Sequence, residues 1–187
     1  NACLADADKT VWVAIDRLDE AFQGAPDVEV PALRALFRSY LDLLEFDRLR
    51  LKLFVRRDLF SRIVSGGFVN LTHVHARTVE VIWDEADLIS LLCRRVRQNA
   101  SVCQTLKIAG ANDDAIFKAL FPQQVDQGSR KPDTHVWIMS RIRDGNGIKP
   151  PRNLIDLVSF AKEAQLRIED RSPRDYKKGQ PLFEPDS

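Results

Sequence analysis

Five consecutive apolar residues, Val11-Trp12-Val13-Ala14-Ile15, run directly into Asp16, and this stretch constrains the fold more than any other. A short unbroken apolar run is the pattern of a strand covered on both faces, as strands of parallel sheets are. Asp16 then falls at its carboxyl edge. Residues 27–31 read as an entry turn, after which Leu33, Leu36, Phe37, Tyr40, Leu41 and Leu44 recur at three-and-four spacing on one helical face. A second strand is expected at 49–55. Strand, crossover helix and strand within about 45 residues is the unit from which parallel sheets are built.

A third strand is expected at 78–83, alternating weakly and running into Asp84, an N-cap candidate for a helix through Val96. From there the pattern is helical only. Asn112 caps a short helix with Ile116, Phe117 and Leu120, stopped by Pro122. Thr134 opens another with Trp137, Ile138 and Ile142, stopped at Gly145, and Pro151 starts a last helix bearing Leu154, Leu157, Val158 and Ala161. Beyond Asp170 the chain is polar, carries Pro173, Pro181 and Pro185, and reads as a tail with little structure of its own. Trp12, Trp83 and Trp137 read as core anchors.

With 44% hydrophobic and 29% charged residues, the 187-residue chain is ordinary globular material, long enough for one good core or two small ones. Its 28 basic and 27 acidic residues cancel, so no global field points to nucleic acid or an anionic membrane. No apolar run approaches the roughly 18 to 20 residues that span a bilayer. Cys3, Cys93 and Cys103 are odd in number and lack a C-x-x-C spacing, which suits a reducing cytoplasm. Asn1-Ala2 reads as a cloning scar, and the early first strand suggests a chain excised from a longer protein.

Three stretches carry residues suited to chemistry. In the first, Asp16, Asp19 and Glu20 place carboxylates just past a strand end, where ligands of open α/β sheets lie. Oxygen donors there suit Mg²⁺, and a second carboxylate can polarise an attacking water. Taken alone, they equally describe a solvated strand-to-helix turn. In the second, Arg56 or Arg57 follows the neighbouring strand, within reach of the same ligand, and a guanidinium fork suits a terminal phosphate. The plainer alternative is a surface arginine paired with Asp58. In the third, Arg152 occupies the first turn of the last helix, where the dipole disfavours a cation unless an anion is near. A carboxylate in the preceding loop would serve as well as a ligand.

Other candidates are weaker. His73 and His75 stand two apart in what reads as an extended stretch and lack a third ligand, so a metal site is not expected there. Arg94, Arg95 and Arg97 form a basic cluster that fits a solvated helix face better than a nucleic-acid contact. Ser61, Ser65 and Cys93 have no base placed to activate them.

Together, strand-Asp-x-x-Asp-Glu, strand-Arg and a Pro-Arg helix start resemble P-loop ATPases of the STAND/NACHT and AAA+-related groups, over residues 10–165. The resemblance makes residues 11–20 the Walker B segment, with Asp16 on Mg²⁺ and Asp19 or Glu20 near the catalytic water. It makes Arg56 the first sensor, with Arg57 beside the nucleotide, and Arg152 the second sensor. Residues 79–96 would be the last core strand leading into the lid, and 112–164 the helical lid. No G-x-x-x-x-G-K-[ST] stretch is present, since Gly66-Gly67 and Asp144-Gly145-Asn146-Gly147 lack the spacing and the following Lys-Ser.

The expected fold is therefore an α/β remnant of a parallel P-loop sheet followed by an all-α lid bundle, mainly helical. Its divisions are a partial core at 1–98, a lid at 99–169 and a polar tail at 170–187. The implied function is the partial ATPase module of a signalling or assembly switch that uses ATP and Mg²⁺ in the intact protein. The alternative is a non-catalytic helical interaction or DNA-binding module. This chain alone is expected to be inactive and to hold no nucleotide, because the glycine loop and lysine that make most phosphate contacts are not encoded. Expected partners are an unnamed protein and a second copy pairing through an orphan strand edge; neither nucleic acid nor a membrane is expected.

Overall fold

The computed structural model describes residues 2–22, 24–65, 67, 71–126, 128–175 and 179–185; Asn1 and Gly66 lie outside this set. The chain separates between Glu80 and Val81 into two compact units. Helix is the dominant secondary structure, with one small parallel sheet. Among the described residues no helix is long and apolar enough to cross a membrane.

The first unit holds helix α1 (Ala2–Asp6), strand β1 (Val11–Ile15), helix α2 (Pro26–Asp42), a 3-10 turn (Leu43–Glu45), strand β2 (Leu49–Leu53) and helices α3 (Arg57–Ser65) and α4 (Leu71–His75). β1 and β2 pair in parallel, in register from Val11 opposite Leu49 to Ile15 opposite Leu53. In β2 the leucines at 49, 51 and 53 are half-buried and Arg50 and Lys52 are exposed, so this strand has one packed face. Leu33 and Phe37 of α2, Leu59 and Ile63 of α3, and Val74 of α4 form the core beneath it, with Ile15 and Leu53 packed against them. α2 and α3 are tied by polar contacts as well. Arg62 pairs with buried Glu29 at 2.8 Å, and Arg34 donates twice to the carbonyl of Ile63 at 3.1 Å.

Several expectations fail in this unit. β1 is not covered on both faces: Trp12 is 63% exposed, and Val11 and Val13 are also exposed. A two-stranded sheet supplies only one packed layer, so Trp12 on the other face is no core anchor. Residues 27–31 form the start of α2 instead of a turn, because Pro26 presets the first-turn dihedral and Asp27 and Glu29 complement the helix dipole. Pro31 then costs a single backbone hydrogen bond. His73 and His75 lie on helix α4, not on an extended stretch, and His75 packs edge-on to Phe60 at 5.5 Å. No strand forms at 78–83; those residues carry no regular secondary structure, and Val79, Val81 and Ile82 are exposed. A β-prone run becomes a strand only where a second strand is there to take its backbone groups.

The second unit packs α5 (Glu85–Arg97), α6 (Ala100–Leu106), α7 (Asp113–Leu120), α8 (Thr134–Arg141) and α9 (Pro151–Arg171). Local chemistry sets the helix starts. Asp84 and Asp87 form a reciprocal capping box on α5, Asn99 and Asn112 accept from the third amides of α6 and α7, and Pro151 opens α9. Leu88, Cys93, Ile116, Ile138, Ile142 and Leu154 meet in one fully buried cluster. α5 therefore belongs with the helices after it, and the division falls at 80/81, not after residue 98.

The described residues of the expected tail carry structure. α9 continues to Arg171, and beyond it Leu182 and Phe183 donate backbone N–H groups to the carbonyls of Ala119 and Leu120 at 2.9 and 2.8 Å. Phe183 is buried and stacks on Phe121 at 5.1 Å. Arg174 holds the return, donating to the carbonyls of Pro181 and Leu182. Burial of Phe183, worth about 1.5 to 3 kcal/mol, adds to the backbone and Arg174 hydrogen bonds in opposing the ordering entropy of this polar segment. Trp83 is also exposed, and Trp137 is half-buried against the core.

Candidate active site at the carboxyl edge of the sheet

The parallel ladder runs one bond past β2, where Phe54 N–H donates to the carbonyl of Ile15 at 2.9 Å. Asp16 therefore begins a loop directly beside the end of β2. Arg17 takes a left-handed backbone conformation (φ 57°), Glu20 N–H closes a turn onto the Arg17 carbonyl at 3.0 Å, and Leu18 is buried in the core. With Leu18 as anchor, Asp16, Asp19 and Glu20 are held on the surface of one short loop. Asp16 accepts from the backbone N–H of Arg17 at 2.8 Å.

Arg56 joins the two strand ends. Its guanidinium donates to Asp19 Oδ2 at 3.2 Å and forks onto both oxygens of Asp58 at 3.1 and 3.2 Å. Its pKa is raised, first by the hydrogen bond to Asp19 and then by that to Asp58. Burial pushes the Asp58 carboxyl up, but the hydrogen bond and charge of Arg56, with backbone N–H groups at the start of α3, bring it below its ordinary value. Arg17 pairs with Glu20 at 3.4 Å, and Arg57 turns away to Glu80 at 3.2 Å. These side chains keep between 36% and 79% of their surface exposed, so each pair contributes only about 0 to 1 kcal/mol. Such pairs exchange partners readily.

Asp16, Asp19, Glu20 and Arg56 are thus brought to one edge. Arg57 is adjacent but engaged elsewhere. Arg152 lies in the first turn of α9, in the second unit, exposed and without an ion pair among the described residues. Asp58 is the member that sequence reasoning entered only as a surface partner. Its signal was the Arg-Arg-Asp run opening α3.

Among the described residues no three His, Cys, Asp or Glu side chains gather as a metal site. Mg²⁺ uses few protein carboxylates and completes its shell with waters and phosphates. Asp16, Asp19 and Glu20 offer carboxylate oxygens of the kind Mg²⁺ accepts, and no G-x-x-x-x-G-K-[ST] loop is encoded in this chain. Comparison with models of known families, with curated proteins and with solved structures returned no match.

Proposed function

We propose that this chain carries the Walker B and first-sensor strands and the helical lid of a P-loop ATPase, acting in the cytoplasm as a nucleotide-dependent signalling or assembly switch. The observation that supports this most is the in-register parallel pairing of β1 and β2, with Arg56 bonded to Asp19 across their adjacent carboxyl ends. In the intact protein Asp16, with the nucleotide's phosphates, would hold Mg²⁺, which neutralises phosphate charge. Glu20 would orient and deprotonate water, and Arg56, released from Asp19, would sense the terminal phosphate. By the resemblance Arg152 would be the second sensor, and differential nucleotide contacts are what allow a nucleotide to shift a two-state equilibrium.

The test uses the full-length protein. Glu20→Gln should slow ATP hydrolysis while sparing nucleotide binding, and Asp16→Ala should weaken Mg²⁺–nucleotide binding. Turnover unchanged in both variants would refute the reading. It would leave the second one, a non-catalytic helical interaction or DNA-binding module, which rests on an open groove of about 510 Å³ in the second unit, between Phe121, Ile138, Leu157, Phe160 and Phe183.

A further inference from the structure

One edge of β2 pairs with no strand among the described residues. In the two-stranded sheet β2 pairs with β1 on one side only, so a row of its N–H and C=O groups faces outward among the described residues. A groove of about 370 Å³ follows it, lined by the four consecutive residues Leu49 through Lys52 and walled by Tyr40 and Leu44. Because consecutive strand residues point to opposite faces, the groove is apolar on one side, from Leu49 and Leu51, and basic on the other, from Arg50 and Lys52. Arg77 adds a third cation. None of the three has a carboxylate partner among the described residues, and Lys52 rests over the Trp12 ring at 5.2 Å.

The same chain exposes a segment with the matching pattern. Residues 78–83 form neither helix nor strand and pair with no strand among the described residues, with Val79 87%, Val81 78% and Ile82 69% exposed. At a period of two, Val79, Val81 and Trp83 share one face and Thr78, Glu80 and Ile82 the other. Laid beside β2, the first set continues the row of Leu49, Leu51 and Leu53, and Glu80 falls in the row of Arg50 and Lys52. The single contact that Glu80 gives up is an exposed pair with Arg57. A one-residue slip would put Glu80 among the leucines, so the alternation selects the register.

We propose that the groove beside β2 accepts residues 78–83 of a second copy of this chain, each copy donating its segment to the other. Every copy carries both donor and acceptor, so reciprocal exchange closes a two-fold dimer and leaves neither β2 edge open. The interaction involves no nucleotide and stands independently of the ATPase reading.

Sedimentation of the chain from low micromolar to several hundred micromolar should show a monomer–dimer equilibrium. Val81→Pro, which removes a ladder N–H at an exposed position, should weaken the dimer by about tenfold or more while circular dichroism stays unchanged. Glu80→Lys should weaken it too, and pairing Glu80→Lys with Lys52→Glu should restore it. A strict monomer throughout would overturn the proposal, as would a dimer indifferent to Val81→Pro and to both charge changes. Labelled oligo-dT, followed by anisotropy, provides the remaining arm. Tight binding by monomers, abolished by Lys52→Glu, would assign the cations to a polyanion and overturn strand exchange.

Discussion

Replacing Arg56 with alanine separates a structural role from a chemical one. The side chain makes one bond to Asp19 and a two-pronged contact to Asp58, all between exposed groups. Two exposed ion pairs are together worth no more than about 2 kcal/mol, and the typical sum is nearer 1. Removing Arg56 strands no buried charge, because both carboxylates keep water and Asp58 keeps backbone N–H groups. The urea midpoint of the chain should therefore move slightly, with an unchanged m value. In the full-length protein a donor aimed at developing phosphate charge is worth far more, so ATP turnover should fall on the order of 100-fold. A stability loss well above about 2 kcal/mol, together with normal turnover, would refute the argument and make Arg56 a fastener of the two strand ends.

Three further outcomes are expected. Leu154→Ala, at a site with no exposure, should destabilise the second unit by about 2 to 5 kcal/mol in chemical denaturation. The Lys149–Glu85 pair, at 2.6 Å, lowers the Glu85 pKa through the hydrogen bond from Lys149 against a burial effect that raises it. Its contribution is complete above the ordinary value of 4.5 and fades as pH falls through the folded-state value. The stability gap between wild type and Lys149→Met, read from urea midpoints, should accordingly narrow below pH 4.5 and stay constant above it. Maleimide should label exposed Cys3 quickly and buried Cys93 only on unfolding, since burial pushes the Cys93 thiol up to about 11; equal rates for both would contradict the packing.

The parts of this molecule that follow from neighbouring residues were legible before any coordinates. The β1–α2–β2 unit came from hydrophobic periodicity, and the starts of α5, α7 and α9 came from Asp84, Asn112 and Pro151, whose capping chemistry acts within one helical turn. The loop carboxylates and Arg56 were legible too, because a strand end and its next few residues are contiguous in the chain. The short helices α1, α3, α4 and α6 were not. At five to nine residues each carries too few turns for a periodic signal, and α3 holds its place by Leu59 and Ile63 meeting α2.

What tertiary structure alone decided concerns partners distant in sequence. Residues 11–15 and 78–83 have similar apolar, β-prone compositions, yet only the first is a strand, because Leu49–Leu53 pairs with it and no strand pairs with the second among the described residues. Trp12 reads as a core residue and stands exposed because no second layer covers its face of the sheet. Phe183 reads as part of a polar tail and is buried because Phe121 and the carbonyl of Leu120 await it some sixty positions earlier. The sequence alone determined which segments could form strands, helices and caps, since those preferences act over a few residues. Which apolar surfaces are covered, and by what, depended on contacts that exist only once the chain has folded.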